Sequence, residues 1–309
     1  MVMKANSFEA QAKQIITGKG SKSSKKEALI KLGLRPIDAD TLFVLYEREM
    51  REARANNRAV DIESLINSLT FGVEFECVNA PSSRVISEAQ QRGLSISFRG
   101  YTHVDSTSAY KLVTDSSLVG SNPIECVTPI LKGNNGFQSM KKCLESLNAV
   151  GAGVNRSTGT HVHIGYADMS EKHYCNVFYN YVCLECLIDS FMAESRRGNT
   201  SRWCKSLLGR GVRLCNTREE IRQALGHDRY FKVNAEAYDR HHTIEFRQHQ
   251  GTLDFEKISM WVRFCLKLVV WSKDNRLTSG VTDIANVPFL NDEEKAFFAS
   301  RIAHFANQQ

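Results

Sequence analysis

The stretch FGVEFECV at residues 71–78 alternates strictly between apolar and charged positions. A β-strand sends successive side chains to opposite faces, so Glu74 and Glu76 share one face while Val73, Phe75 and Cys77 share the other. Two further stretches repeat the pattern. GTHVHIGY at 159–166 places His161 and His163 opposite Val162 and Ile164, and HHTIEFRQHQGTLD at 241–254 places Glu245, Arg247 and His249 opposite Ile244 and Phe246. A solvated sheet face ordinarily carries Thr, Lys, Ser and mixed charges. Paired carboxylates, paired imidazoles and a carboxylate–guanidinium pair are instead the groups that hold a divalent cation and a phosphate. The three strands are expected to wall one polar cleft.

Composition sets the frame for that cleft. At 309 residues the chain accommodates one large domain plus an extension, or two modest domains. Its 42% hydrophobic and 24% charged residues are ordinary for a soluble globular protein. A net charge of +6 suits an anionic ligand such as a nucleotide, and is too small to argue for nucleic acid. The first residues, MVMKANSFEAQAKQ, contain no signal-peptide core, and the apolar run from Met260 to Trp271 is broken by Arg263 and Lys267. The expectation is a cytoplasmic protein with no membrane segment. The cysteines are scattered singly beside apolar residues and read as reduced, buried thiols. Cys183 and Cys186 form a C-x-x-C on an apolar helix, with no second C-x-x-C to complete a zinc site.

Residues 1–69 read as a small helical N-terminal extension and 70–309 as the catalytic domain. The extension opens on the flexible basic stretch GKGSKSSKK at 18–26, after which Ser24 is a helix cap for KKEALIKLGL. A second helix runs through TLFVLYEREMREARANN and a third through DIESLINSL. The basic start is a candidate contact for a protein partner, against the plainer reading of a solvated tail with packing helices. From Phe71 onward strand and helix signals alternate. Strands are expected at EFECVN, SISFRGYTHV, YKLVTDSSL, PIECVTPIL, the histidine motif, RYFKVNAEAY and TIEFRQ. Helices are expected at SSRVISEAQQRG, GFQSMKKCLESLNAV, HYCNVFYNYVCLECLIDSFMAES, TREEIRQALG, FEKISMWVRFCLKLVVW and DEEKAFFASRIAHFA. The fold class is α+β, a sheet covered by helices on one face and open as a cleft on the other.

Carboxylates at i and i+2 on one strand repel each other unless a cation or a shared proton relieves them. With Glu125 in PIECVTP, the oxygen-rich set becomes Glu74, Glu76, Glu125 and Glu245 with one or two histidines. Such a set suits Mg²⁺ or Mn²⁺. Arg247, Lys232 and the arginines of 196–213, Arg202 among them, would supply positive charge for a triphosphate. There is no G-x-x-x-x-G-K-[ST], no G-x-G-x-x-G and no kinase motif set, so metals and arginines must hold any nucleotide phosphates.

The order FGVEFE, TDSSL followed by IECVTP, GTHVHIG after VNRSTG, SRWCK, and TIEFRQHQGTLD resembles the amidoligase family, a branch of the carboxylate–amine ligases that share the glutamine synthetase fold. The resemblance runs from about Phe71 to Trp271. It implies a curved, mainly antiparallel sheet backed by helices. It also implies that Glu74 and Glu76 each contact metal, with Glu125 joining Glu76 at one ion and His161 and Glu245 joining Glu74 at the other. His163 would contact the nucleotide, and Arg247, with Glu245 beside it, would be the catalytic donor to the transferred phosphoryl group. Asn155 would lie at the amino-acid substrate, and Asp115 matches the aspartate of the family's D-G-S-L run, here DSSL with Ser116 in place of the Gly.

The expected activity is therefore an ATP-dependent carboxylate–amine ligation through an acyl phosphate, with Mg²⁺ or Mn²⁺, ATP, an amine and a carboxylate as partners. Two other classes stay open: a metal-dependent hydrolase using His161, His163 and Glu245, and a non-catalytic binding protein. Substrate specificity is expected from loops 79–123 and 196–215. The base that would neutralise the attacking amine has no counterpart in the sequence.

Overall fold

The computed structural model describes residues 11–12, 14–45, 62–100 and 108–307. Residues 46–57 of the expected second helix, and residues 101–104 of the expected strand SISFRGYTHV, lie outside them. The chain divides into two units, Met1–Asp61 and Ile62–Gln309. The division falls before the boundary expected at 69/70 because Ile62 and Ile66 already pack into the core of the larger unit.

In the smaller unit, helix α1 (Lys22–Lys31) is capped by Ser21, whose hydroxyl accepts from the Ser24 N–H at 3.2 Å. The expected cap was Ser24 itself, which instead lies inside the helix and donates back to the Ser21 carbonyl. Ala12, Ile16, Leu29, Ala39 and Phe43 form a small apolar cluster of their own.

The larger unit is a mixed α+β structure. Its strands are β1 (Thr70–Cys77), β2 (Ile96–Gly100), β3 (Tyr110–Val113), β4 (Ile124–Val127), β5 (Leu131–Lys132), β6 (Gly159–Gly165), β7 (Val233–Asn234) and β8 (Thr243–Gln250). They form one sheet in the order β2-β3-β4-β1-β6-β8-β7, with β5 also pairing with β1. Every pairing is antiparallel except β2 with β3. The helices are α2 (Ser82–Gln91), α3 (Gly133–Ala149), α4 (Glu171–Ser190), α5 (Arg218–Ala224), α6 (Ala237–His241), α7 (Phe255–Ser272) and α8 (Asp292–Ala306). Among the described residues no helix is long and apolar enough to cross a membrane.

The alternation of the three motif strands becomes two physically different faces. On one, Phe71 meets Phe137 of α3 at 4.8 Å between ring centroids, and Phe246 lies between Tyr181 of α4 and Trp261 of α7 at 5.9 and 6.5 Å. Val73, Phe75, Val162 and Ile164 are fully buried in the same core. Each such side chain contributes about 1.5–3 kcal/mol of burial. Slipping β1 by one residue would exchange them for Glu74 and Glu76, so the register is strongly specified.

Two departures from simple strand parity matter for the site. Thr160 pairs with His249 but Val162 pairs with Phe246, so two steps on β6 face three on β8. This is a β-bulge. It turns His249 away from the face of Glu245 and Arg247, and its ring packs 5.7 Å from Trp261 of α7. The second departure is RYFKVNAEAY, which keeps only Val233 and Asn234 as strand. The Asn234 side-chain oxygen accepts from the Glu236 N–H at 2.8 Å, a local turn that competes with the ladder, and α6 follows at once.

Candidate active site

Sheet order brings together residues far apart in sequence. Glu74 on β1 is the direct partner of His161 on β6, His163 on β6 is the partner of Glu245 on β8, and Glu76 on β1 is the partner of Glu125 on β4. All six line one polar cavity of about 540 Å³, together with Arg247 and Asp115. One donor atom each from Glu74, His161 and Glu245 lies within 4.8 Å of the others.

Glu74, Glu76 and Glu245 are each aimed by specific contacts. Glu74 Oε2 lies 2.9 Å from His161 Nδ1, and Glu74 Oε1 lies 3.3 Å from His163 Nε2. Glu76 Oε2 accepts the Gly159 N–H at 2.5 Å, and its other oxygen lies 3.6 Å from His161 Nε2. Glu245 Oε1 accepts from Arg247 Nη1 at 2.5 Å and Glu245 Oε2 from Asn234 Nδ2 at 2.5 Å. Gly159 itself has a steric reason: a Cβ there would meet Arg196 Nη2 at 2.9 Å, and that guanidinium donates to the Thr158 carbonyl at 2.6 Å.

The electrostatics follow from crowding. Burial pushes the Glu74 carboxyl up, but hydrogen bonds from His161 and His163 outweigh it and hold the group well below the usual carboxylate range. Burial acts the same way on Glu245, where Arg247 and His163 win and bring it down to about 2. Glu125 goes the other way. Its burial, and the neighbouring Glu74, Glu76 and Asp115, push it well above the usual range. The Glu76–Glu125 side is therefore short of positive charge, while the Glu245 side is compensated by Arg247.

These features fit divalent cations. Glu74, His161 and Glu245 supply two hard carboxylate donors and one borderline imidazole, an oxygen-dominated set that suits Mg²⁺ or Mn²⁺. A cation beside Glu76 and Glu125 would relieve their repulsion. His163 Nε2 is buried between two of these carboxylates, 3.3 Å from Glu74 Oε1 and 3.9 Å from Glu245 Oε1.

A second cavity of about 800 Å³ meets the first at Glu74 and His163. Its walls include Val127, Pro129, Ile130 and Tyr166, with Lys273 among them. Of the carboxylate–imidazole cluster, Glu74 and His163 thus face both cavities, while His161, Glu245, Glu76 and Glu125 face the smaller one.

Three residues expected at the site stand elsewhere. Lys232 does not line the cavity. Its ammonium is fully buried between Glu185 (2.8 Å) and Asp189 (2.6 Å) of α4; it lies just before the two-residue β7, and these two carboxylates, not strand parity, set its direction. Arg202 is exposed and stacks on Trp203 at 4.5 Å, outside the cavity wall. Asn155 also stays outside. Its side chain braces the preceding loop, donating to the Val119 carbonyl at 2.7 Å and accepting from the Ser157 N–H at 2.8 Å. Asp115 does line the cavity and accepts the Ser117 N–H at 2.7 Å, so DSSL closes its turn with Ser116 in place of glycine.

Other wall residues escaped the sequence reading. Thr243 Oγ1 lies 3.1 Å from His163 Nδ1 and fixes that ring; it shares the parity of Glu245 and could have been found that way. Asn234, Trp203, Tyr230, Arg229 and Arg240 reach the wall from loops, from the two-residue β7 and from the short helix α6, and no periodicity marks them.

Residues 67–269 match the family model described as "Putative amidoligase enzyme". The chain belongs to the amidoligase family. No curated protein sequence matches it. Among solved structures, a bifunctional glutathione synthetase from Pasteurella multocida aligns over 79% of this chain and 41% of its own, at 13% identity and a TM-score of 0.37. The chain thus covers less than half the length of that protein, and a likeness this weak carries no argument.

Proposed function

We propose that this chain is an ATP-dependent carboxylate–amine ligase of glutamine synthetase-like architecture, with residues 70–309 as the catalytic domain and 1–69 as a helical extension. Membership of the amidoligase family supports the reaction class. The observation that carries the finer reading is the convergence of the Glu74, His161 and Glu245 donor atoms within 4.8 Å in the smaller cavity, with Glu74 also facing the larger one and Arg247 bonded to Glu245 on the same wall. Two cavities that share Glu74 and His163 give separate substrates room around one centre.

A carboxylate is a poor electrophile because hydroxide leaves badly. Transfer of the ATP γ-phosphoryl group to a carboxylate oxygen, with release of ADP, makes an acyl phosphate. The amine then forms the C–N bond as phosphate leaves. In this reading the larger, more apolar cavity takes the nucleotide base and the smaller polar cavity takes the carboxylate and the amine. Glu74, His161 and Glu245 would hold one divalent cation and Glu76 and Glu125 another; when bound, such ions neutralise phosphate charge. Arg247, buried and forked, holds positive charge at the wall and steadies oxygens of a transferring group. Glu245 and Asn234 keep that guanidinium in place. His163, anchored by Thr243, presents Nε2 to the nucleotide side.

The deciding experiment is ADP release in the presence of Mg²⁺ or Mn²⁺ with panels of amines and acids. ADP formation that requires both an amine and a carboxylate supports the ligase. Amide hydrolysis without nucleotide would replace it with the hydrolase built on His161, His163 and Glu245.

A further inference from the structure

The cations on the wall of the smaller cavity are not equivalent. Arg247 is bonded to Glu245 and Arg196 to the Thr158 carbonyl. Glu236, which also lines the cavity, is neutralised from behind by Arg222 at 2.8 Å. Arg229 and Arg240 line the same cavity, are exposed, and have no carboxylate or hydrogen-bond partner among the described residues. Arg229 is nevertheless held in place. Its guanidinium lies 5.2 Å over the Tyr230 ring, and Tyr230 packs edge-on against Trp203 at 4.9 Å. Arg240 projects from the last turn of the short helix α6.

A solvated arginine needs no explanation by itself. Two uncommitted guanidiniums on one cavity wall, where Arg247, Arg196 and Lys111 each have a partner, are a different matter. A guanidinium presents a planar fork that matches a carboxylate or phosphate with two parallel hydrogen bonds, and stacking on an aromatic ring fixes the plane of that fork. Glu74, Glu76 and Glu245 are already served by histidines, Arg247 and a backbone N–H, and neither arginine is bonded to Glu125 among the described residues.

We propose that Arg229 and Arg240 are specificity-determining residues that select a substrate carrying a free carboxylate in addition to the group that reacts. The reacting group sits at the Glu74–Glu245 centre and the free carboxylate lies outward against the two guanidiniums. This places the selecting residues at 229 and 240, outside the loops 79–123 and 196–215. It rests on the ligase reading for the direction of the substrate, but concerns binding alone.

The test uses the full chain with saturating Mn²⁺ and a non-hydrolysable ATP analogue, and reads the thermal midpoint against matched acid and amide probes: L-glutamate with L-glutamine, L-aspartate with L-asparagine, and dipeptides ending in each. The expected result is at least one acid that binds ten times or more tightly than its amide, the scale of a charge-assisted hydrogen bond. Arg229→Gln with Arg240→Gln should remove that preference while the shift from Mn²⁺ and nucleotide remains. Both residues are exposed, so the double variant should fold. Equal binding of acid and amide, no acid-dependent shift across the panel, or a preference unchanged in the double variant overturns the proposal. So does loss of the nucleotide shift, which would assign the arginines to phosphate. An intact acid preference without any ADP release would instead retire the ligase reading and leave the selecting role standing.

Discussion

Glu74 on β1 and His161 on β6 are direct cross-strand partners, and Glu74 Oε2 sits 2.9 Å from His161 Nδ1. The contact joins the two central strands of the sheet through Glu74, which lines both cavities. It also sets the charge state of the centre, because the histidines keep Glu74 ionised despite its burial. An ionised carboxylate is a metal ligand; a protonated one is not.

Metal and nucleotide should therefore bind together. Mg²⁺ and Mn²⁺ commonly complete their shells with substrate phosphates, so the thermal midpoint should rise more with Mn²⁺ plus a non-hydrolysable ATP analogue than the sum of the separate shifts. Glu74→Gln should abolish that excess. Strictly additive shifts, or tightly held zinc in the purified protein, would count against the ligase reading.

Arg247 and Glu245 should separate in their effects although they are bonded to each other. Arg247→Lys keeps the charge and loses the fork, so turnover should fall about a hundredfold, on the scale of a lost transition-state donor, with nucleotide-dependent stabilisation retained. Glu245→Gln keeps the shape and the amide contact to Asn234 but removes a ligand charge, so nucleotide binding in Mn²⁺ should weaken. Steady-state kinetics beside the thermal titration distinguishes the two. If Arg247 only pairs with Glu245, its lysine variant will turn over almost normally.

Lys232 offers a contrast between a structural cation and a functional one. Removing its ammonium leaves Glu185 and Asp189 facing each other in the interior. Lys232→Met is expected to destabilise the fold by about 3–5 kcal/mol, the usual penalty for breaking a buried ion pair from one side. Urea denaturation measures this. Nucleotide affinity of the folded fraction should be unchanged, since the side chain does not reach the cavity.

His249 should leave a signature in acid. Burial against Trp261 holds its imidazole down to about 4, below its ordinary 6.5. The unfolded chain binds the proton first, so the contribution is full above pH 6.5 and is lost as pH falls toward 4. In that window the residue adds a slope approaching about 1.4 kcal/mol per pH unit. His249→Gln should flatten the acid limb of stability between pH 6.5 and 4, followed by chemical denaturation at several pH values. An unchanged slope would mean that the ring is protonated in the folded protein.

Strand parity made the cleft face of β1, β6 and the first half of β8 legible in the sequence, because alternation is a property of one backbone and needs no partner. Glu74, Glu76, His161, His163, Glu245 and Arg247 could all be assigned to a polar face on that ground. Partner-dependent features were invisible. Which strand lies beside which, and so the meeting of Glu74 with His161 across 87 positions of chain, is decided by long-range pairing. The bulge between β6 and β8 exists only in that pairing, and it sends His249 to the helical face against the parity of its own strand. Charge behaves likewise: sequence shows Lys232, Arg202, Arg229 and Arg240 as equal cations. Only packing shows that Glu185 and Asp189 consume the first, that Trp203 holds the second outside, and that the last two face the cavity. Local geometry fixes where a side chain can point, and tertiary contacts decide what it meets there.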